Sequence, residues 1–295
     1  IRQTNVTSKA AALKTAIQAT SLIGYISSAA NEANVQPGYL NINGQQSPLD
    51  QTLGYTQTGG TSGSGATYYA NAYVVNYMIG GGTPLAPDDP RLFQVYAPSP
   101  TAIANGKVEA TQLGQTTTPS EIDPATGKAT GVLQSRLSNF LLAPTKSTPI
   151  FSAAESLFLQ AEAAKNGLIS GTPATLYNAG ITASFVDLGL TAAQAATYYS
   201  KPAYAYPAGG TDAQQVQAIV TQKWLSLNPY GYLEAYNEIR RTGYPAVPVS
   251  ILTGVTTTVS PARIPYPLIE YNTNAVNVGA EGNPDLFTSK IFWAK

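Results

Sequence analysis

Between Ser152 and Gly243 the chain is cut into apolar segments of helical period by Gly, Asn and Pro stops, and this alternation constrains the fold more than any other feature. Leu157, Phe158, Ala161, Ala164 and Leu168 lie at helical spacing after Ser152, and Asn166-Gly167 ends that segment. Thr172-Pro173 opens the next, which carries Leu176, Ala179, Gly180, Ala183 and Val186; proline at a first helical position loses no hydrogen bond. Small residues facing large ones favour close helix packing. A second pair follows, with Asp212 read as the cap of a helix through Val216, Ile219, Val220, Lys223, Trp224 and Leu227, broken at Asn228-Pro229. Its partner runs from Tyr232 to Arg241 and ends at Gly243. Antiparallel helix pairs joined by short Gly-containing turns are the unit of tetratricopeptide arrays, although the full repeat consensus is not met. The expected fold class is mainly α, with tetratricopeptide-like helix pairs, long irregular loops and a few short strands.

Residues 1–149 have a different texture. A helix is expected from about Thr7 to Ala33, with Ala10, Leu13, Ile17, Leu22 and Ile26 on its apolar side and Asn5 or Thr7 as cap. From Gln36 to Ala66 the chain reads as irregular, with Pro37 and Pro48 as breakers and the run from Gly59 to Gly65 as a surface loop. A second helix is expected from Thr67 to Ile79, stopped by Gly80-Gly81-Gly82, and Asp88-Asp89-Pro90-Arg91 reads as a turn whose aspartates are turn formers. Residues 97–149 read as loops and short strands. After Gly243 come a Pro- and Thr-rich stretch, a short helix from Leu268 to Asn274, and a tail, Ile291-Phe292-Trp293, expected to dock on the body. The whole of 1–295 is read as one folded unit, with 1–149 as a loop-rich ligand face bearing two helices and 150–295 as the helical scaffold and tail.

Charge and missing residue types narrow the chemistry. Sixteen basic and 16 acidic residues cancel, and only 11% of residues are charged, so no footprint for nucleic acid or anionic lipid is present. The chain has no Cys, which excludes disulfides, thiolate metal sites and cysteine nucleophiles, and no His, which excludes Ser-His-Asp triads and the common zinc sites. Polarity comes instead from Thr, Ser, Asn and Gln together with 19 Tyr, a composition suited to neutral, hydroxyl-rich ligands. The Gly-rich run at 59–65 lacks a Gly-Lys-Ser/Thr ending and follows no evident strand, so nucleotide binding is rejected. No cofactor and no metal site is expected.

The C-terminal half resembles the SusD/RagB family, in particular its SusD-like, starch-binding-associated branch, through several motifs in order. These are the helix from Glu155 to Gly167, its partner from Leu176 to Ser184, Ile219 to Trp224, then Glu234 to Pro245 (EAYNEIRRTGYP), which is the most specific match. Arg263 to Pro267, Glu270 to Asn277 and the closing Thr288 to Trp293 complete the series, and the Asp88-Asp89-Pro90-Arg91 turn extends it upstream. The resemblance implies a non-catalytic extracellular lipoprotein of the Bacteroidota outer membrane that binds glycan or peptide and caps a SusC-type TonB-dependent transporter. It also implies a signal peptide, a lipidated Cys and further helical repeats upstream of Ile1, so that the membrane is met only through an anchor outside this chain.

Within that frame the site candidates are aromatic. A sugar ring presents C–H faces that stack on Tyr, while its hydroxyls pair with amides. Tyr39, Tyr55, Tyr68 and Tyr69 lie in or beside the irregular polar segment with Asn41, Asn43, Gln45 and Gln51, where loops on a rigid scaffold carry binding residues. The family's binding aromatics fall in such segments, which selects these tyrosines with Asn41 and Asn43 as the ligand-binding set. Trp224, Tyr232 and Tyr236, at helical spacing among apolar residues, read as core, and Trp293 as the docked tail. Arg240 and Arg241 read as complements to a helix dipole within reach of Glu234 and Glu238, not as an anion site; two glutamates on one helix do not face each other across a substrate as a glycosidase pair must. Two rival functions remain: a tetratricopeptide-like assembly subunit without its own ligand, and a glycosidase using two of the loop acids Asp88, Asp89, Glu109, Glu121 and Asp123.

Overall fold

Helix boundaries in the second half of the chain follow from local capping. Ser152 accepts the Glu155 N–H at 3.1 Å, which fixes the start of a helix over Ala153–Lys165. The computed structural model describes residues 7–20, 24–65, 67–99, 106–115, 120–122, 129–132, 134–228, 230–252, 254, 259–282, 284–291 and 294. In chain order its helices are α1 (Thr7–Thr20), α2 (Pro48–Leu53), α3 (Ala72–Ile79), α4 (Leu92–Val95), α5 (Ala153–Lys165), α6 (Pro173–Asp187), α7 (Ala192–Tyr199), α8 (Asp212–Leu227), α9 (Tyr232–Thr242), α10 (Leu268–Thr273) and α11 (Ala275–Ala280). Four short strands, β1 (Ala33–Val35), β2 (Ser120–Ile122), β3 (Ala129–Val132) and β4 (Thr148–Phe151), form two antiparallel pairs, β1 with β4 and β2 with β3. The mainly helical class with few strands is therefore observed.

Several boundaries differ from the expectations. The first helix ends at Thr20 instead of Ala33, because Gly24 takes φ 84° and Ala33–Val35 is drawn into pairing with Thr148–Phe151. The second expected helix starts at Ala72, not Thr67: Asn71 caps it by accepting the Tyr73 N–H at 2.9 Å, and Ala70 is already bonded to Ser135 and Thr111. Helix α2 interrupts the stretch read as irregular, and Pro48 at its first position explains why a breaker opens it. The cap of α8 is Thr211, in a capping box with Gln214, and Asp212 is only a first-turn acid. A second capping box, Thr191 with Gln194, starts α7, which the apolar period alone did not reveal. The short helix after Pro267 is followed by another, α11. Phe292 and Trp293 lie outside the described residues. Among the described residues no helix is long and apolar enough to cross a membrane.

Helices α5 and α6 pack as a close antiparallel pair, and glycine makes the approach possible: a Cβ on Gly180 would stand 2.8 Å from the Phe158 ring. Phe158, Tyr177, Ile181, Phe185, Tyr198 and Ile219 form one buried cluster within the scaffold helices. A second cluster joins the two halves of the chain, with Val74, Val75 and Met78 of α3 and Leu92 and Val95 of α4 packed against Leu188 and Leu225. Each such side chain contributes about 1.5–3 kcal/mol when fully removed from water.

Between the clusters lies the turn before α4. Arg91 is 0% exposed, bonds to Asp89 at 2.6–3.1 Å, and reaches Ser184 on α6 at 2.9 Å and Gln222 on α8 at 3.0 Å. Its guanidinium also lies over the rings of Phe185 and Tyr198. Asp89 is thus a buried counter-ion rather than a simple turn former. Asp88 keeps its turn position but binds Lys201 at 2.6 Å and the Tyr204 hydroxyl at 2.9 Å.

Helix α9 corrects another expectation. Tyr232 is 76% exposed and is not core, while Trp224 packs beside the second cluster and Tyr236 is half-buried. The buried residues of α9 are Ala235, Glu238, Arg241 and Thr242, a largely polar face. As expected, Gly243 ends the helix in the left-handed conformation, at φ 79°.

Candidate functional site

The predicted ligand residues gather on loops fastened around α2. The Leu40 N–H donates to Gln45 O at 2.9 Å and the Gln45 N–H to Ile42 O at 2.9 Å, closing a tight loop that carries Asn41 and Asn43 on its exposed side. Gln46, buried beside it, donates through Nε2 to Asp50 at 2.8 Å, to Tyr55 O at 3.1 Å and to the Asn41 side chain at 3.4 Å. One amide thus ties Asn41 and Tyr55 to α2. Burial raises the Asp50 carboxyl above its ordinary value, while hydrogen bonds from the Tyr55 backbone and Gln46 oppose that shift.

Tyr55 opens a hairpin that pairs with Thr61, and Ser62 returns to α2 by donating to Thr52 O at 2.6 Å. Ser62 also accepts the Gly65 N–H at 3.0 Å, and the Tyr68 N–H donates to Ser64 O at 3.2 Å, so the second tyrosine pair hangs from the same turn. Tyr55 is 42% and Tyr68 65% exposed, whereas Tyr39 and Tyr69 are half-buried, Tyr69 beneath the Arg136 guanidinium at 5.5 Å. Leu40 and Ile42 are exposed on the same loops. Sequence reasoning missed the anchors, Gln46, Asp50 and Ser62, which look like ordinary loop polarity until their burial is known.

Three cavities lie elsewhere among the described residues, and none of the six residues lines any of these. The largest, about 920 Å³, has apolar walls from Leu13, Ile17, Ile26, Phe151 and Leu159 and a charged floor. In that floor Arg241 holds Glu162 through two bonds of 2.7 Å and Glu238 at 2.5 Å, and Lys223 stands 3.5 Å from Glu238 and 3.7 Å from Glu155. The two flanking carboxylates, Glu162 foremost, raise the Arg241 pKa further despite its burial. Glu238 is consumed by this network, and Glu234 accepts from Asn237, so the two glutamates of α9 are not an acid and base pair. Arg240 bonds Asn237 and covers the Tyr236 ring at 4.3 Å. Of the loop acids, Asp88 and Asp89 are each engaged by a cation and Asp123 lies outside the described residues. Among the described residues no group of acidic side chains could hold a metal ion.

The chain is thus a helical scaffold with exposed tyrosines on its loops, in which Asp89, Glu162 and Glu238 are paired with arginine. The family model of SusD-like proteins, described as starch-binding associating with outer membrane, matches residues 3–267. The chain belongs to this SusD-like family. Among solved structures it is similar to a Bacteroidetes AC2a SusD-like protein at 18% identity and TM-score 0.75, covering 100% of this chain and 67% of that one. A SusD-like protein from Bacteroides thetaiotaomicron gives 24% identity and TM-score 0.74, covering 100% and 61%. A chitin-binding protein gives 21% identity and TM-score 0.68, covering 99% and 61%. The chain therefore spans about two thirds of the length of the first and less of the other two. A search of curated proteins gives no match.

Proposed function

We propose that this protein captures a glycan or peptide nutrient at the outer face of the outer membrane and delivers it to a SusC-type TonB-dependent transporter, without catalysing a reaction on it. Residues 1–149 supply the ligand face and 150–295 the scaffold within one unit, which is held at the membrane by a lipid anchor. Tyr39, Tyr55, Tyr68 and Tyr69 offer rings for stacking, and Asn41 and Asn43 offer amides to hydroxyl or peptide groups. The observation that carries the reading is the exposure of Tyr55 and Tyr68, at 42% and 65%, on loops pinned to α2 by buried side chains. Rings displayed on a fixed frame bind with little ordering cost. Glycan is the favoured ligand class, in keeping with the family's description and the chitin-binding relative.

Calorimetric titration with a panel of neutral oligosaccharides and of peptides tests this. Binding is expected for one class, and Tyr55→Ala with Tyr68→Ala is expected to weaken it at least tenfold, about 1.4 kcal/mol. Silence toward both classes, or unchanged affinity in the double variant, overturns the assignment of the face.

A further inference from the structure

The cleft of about 920 Å³ is walled by α1, β4, α5 and α9 and shares no residue with the six ligand candidates. Its apolar walls are not packed away: Leu13, Ile17, Ile26, Phe151, Leu159 and Ile169 are all only half-buried. Of residues 11–20 in α1, only Leu13 and Ile17 are shielded from solvent even in part, so this helix borders the cleft without filling it. Aliphatic surface left wet in this way is gained by any apolar group that covers it.

The floor carries a second signal. Lys223 on α8 lines the cleft while being only 2% exposed. Its ammonium stands 3.5 Å from Glu238 and 3.7 Å from Glu155, yet it donates no hydrogen bond among the described residues. An ammonium has three donors, and a buried charged donor without an acceptor is costly. The cleft therefore presents an unmet donor at its base. The charge around it is also uneven, since the buried acids Glu155, Glu162 and Glu238 outnumber the buried bases Lys223 and Arg241 by one. Glu234, half-buried in the lining, adds a further acid.

We propose that this cleft binds a small aliphatic amphiphile with a neutral, oxygen-bearing head such as an amide or alcohol, its oxygen accepting from Lys223 and its chain lying along Leu13, Ile17, Phe151 and Leu159. A carboxylate head would add to a buried excess of negative charge, and an ammonium head has no acceptor to offer Lys223. Only a neutral acceptor meets both conditions. The volume falls within the ~300–1,000 Å³ of small-molecule sites, which are mostly apolar with a few polar groups that set orientation. The ligand is neither glycan nor peptide, so the inference stands apart from the proposed function in both residues and chemistry.

Calorimetric titration of the full chain at neutral pH with octanamide, octanoate and octylamine compares one chain length under a neutral, an anionic and a cationic head. Octanamide is expected to bind saturably, and the other two at least tenfold more weakly. Leu13→Asn with Ile17→Asn, both on α1, should weaken octanamide at least tenfold by wetting one wall. In Lys223→Met the excess of buried acid grows from one to two, so the order should reverse in favour of octylamine. Tyr55→Ala with Tyr68→Ala should leave octanamide binding unchanged, which separates this cleft from the loop face. Absence of heat with octanamide overturns the proposal, as does equal affinity for the three heads, which marks adsorption through the chain alone. Binding that survives the α1 variant, a wild-type order retained in Lys223→Met, or loss in the loop variants overturns it equally. Circular dichroism checks that each variant folds, and the head-group order of the unaltered chain together with the α1 variant decides the matter even where Lys223→Met does not fold.

Discussion

Removing the Arg91 side chain should unfold the protein more readily than almost any surface change. In Arg91→Ala the Asp89 carboxylate, 1% exposed, is left in the interior without its counter-charge, and the acceptors on Ser184 and Gln222 lose their donor. Breaking one half of a buried ion pair costs about 3–5 kcal/mol. A loss of about 4 kcal/mol corresponds to a fall in melting temperature of about 8 °C or more, at ~2–4 °C per kcal/mol for a domain of this order of size. The sharper test is the partner variant, Asp89→Asn with Arg91→Met, which removes both charges and keeps bulk. Its loss should be at most half that of Arg91→Ala, because the penalty belongs to the stranded carboxylate more than to the missing bond. Urea titration followed by circular dichroism reads both. A single variant costing less than about 1 kcal/mol, or a double variant no better than the single, would refute the argument that Arg91 acts as a buried charge pair.

Arg241→Ala strands Glu162, while Glu238 keeps Lys223 at 3.5 Å, and is expected to cost about 3–5 kcal/mol in the same titration. Gly180→Ala drives a methyl to 2.8 Å from the Phe158 ring; its overpacking cost of about 1–3 kcal/mol should exceed the helix-propensity gain of about 1 kcal/mol, and Phe158→Leu in the same chain should return part of it. Asp88 contributes one part of the pH dependence: the Lys201 ammonium, then the Tyr204 hydroxyl and the Gly81 amide, hold its carboxyl below the ordinary value of 3.8. A depressed carboxyl contributes stability that is fully present above its unfolded value and is lost as pH falls through its folded one. The melting difference between wild type and Asp88→Asn should therefore be constant above the range of 3.8 and shrink below it; a difference that grows on acidification would contradict the Lys201 assignment.

What was legible in the sequence was whatever obeys the rule that buried means apolar. Helices α5, α6 and α8 were legible through apolar positions that are buried, Leu157, Phe158, Ala161, Ile219 and Val220 among them, although Glu155, Glu162 and Lys223 are buried beside them, and their ends fall close to the Ser, Pro and Gly signals. Helix α9 breaks that rule. Its inward residues are Ala235, Glu238, Arg241 and Thr242, so a reading guided by Tyr232 and Tyr236 selected the wrong face, and Tyr232 turned out exposed. The same blindness hid Asp89 with Arg91, whose partners on α6 and α8 lie 93 and 131 residues away in the chain, a separation that no local pattern reports. Helix α7 is short and Ala-rich, and only its Thr191 and Gln194 capping box marks it. For the candidate site, residue type and loop texture selected the tyrosines, of which Tyr55 and Tyr68 are exposed, whereas the anchors Gln46 and Asp50 acquire meaning only through burial.

The placement of charge connects the fold to the ligand chemistry. Among the described residues Asp50, Asp89, Arg91, Glu155, Glu162, Lys223, Glu238 and Arg241 are buried, in a chain with 16 acidic and 16 basic residues. Most of these are matched in networks that cross between helices, where a stranded charge is costly and the pairing selects one arrangement of α5, α6, α8 and α9 over its alternatives. Drawing these charges inward leaves an outer surface poor in ions and rich in hydroxyl, amide and phenol groups. Such a surface exerts little long-range attraction on a charged solute and must recognise its ligand by contact. Stacking and hydrogen bonding are then the available forces, and both fit a neutral, hydroxyl-bearing nutrient better than a nucleic acid or a charged metabolite.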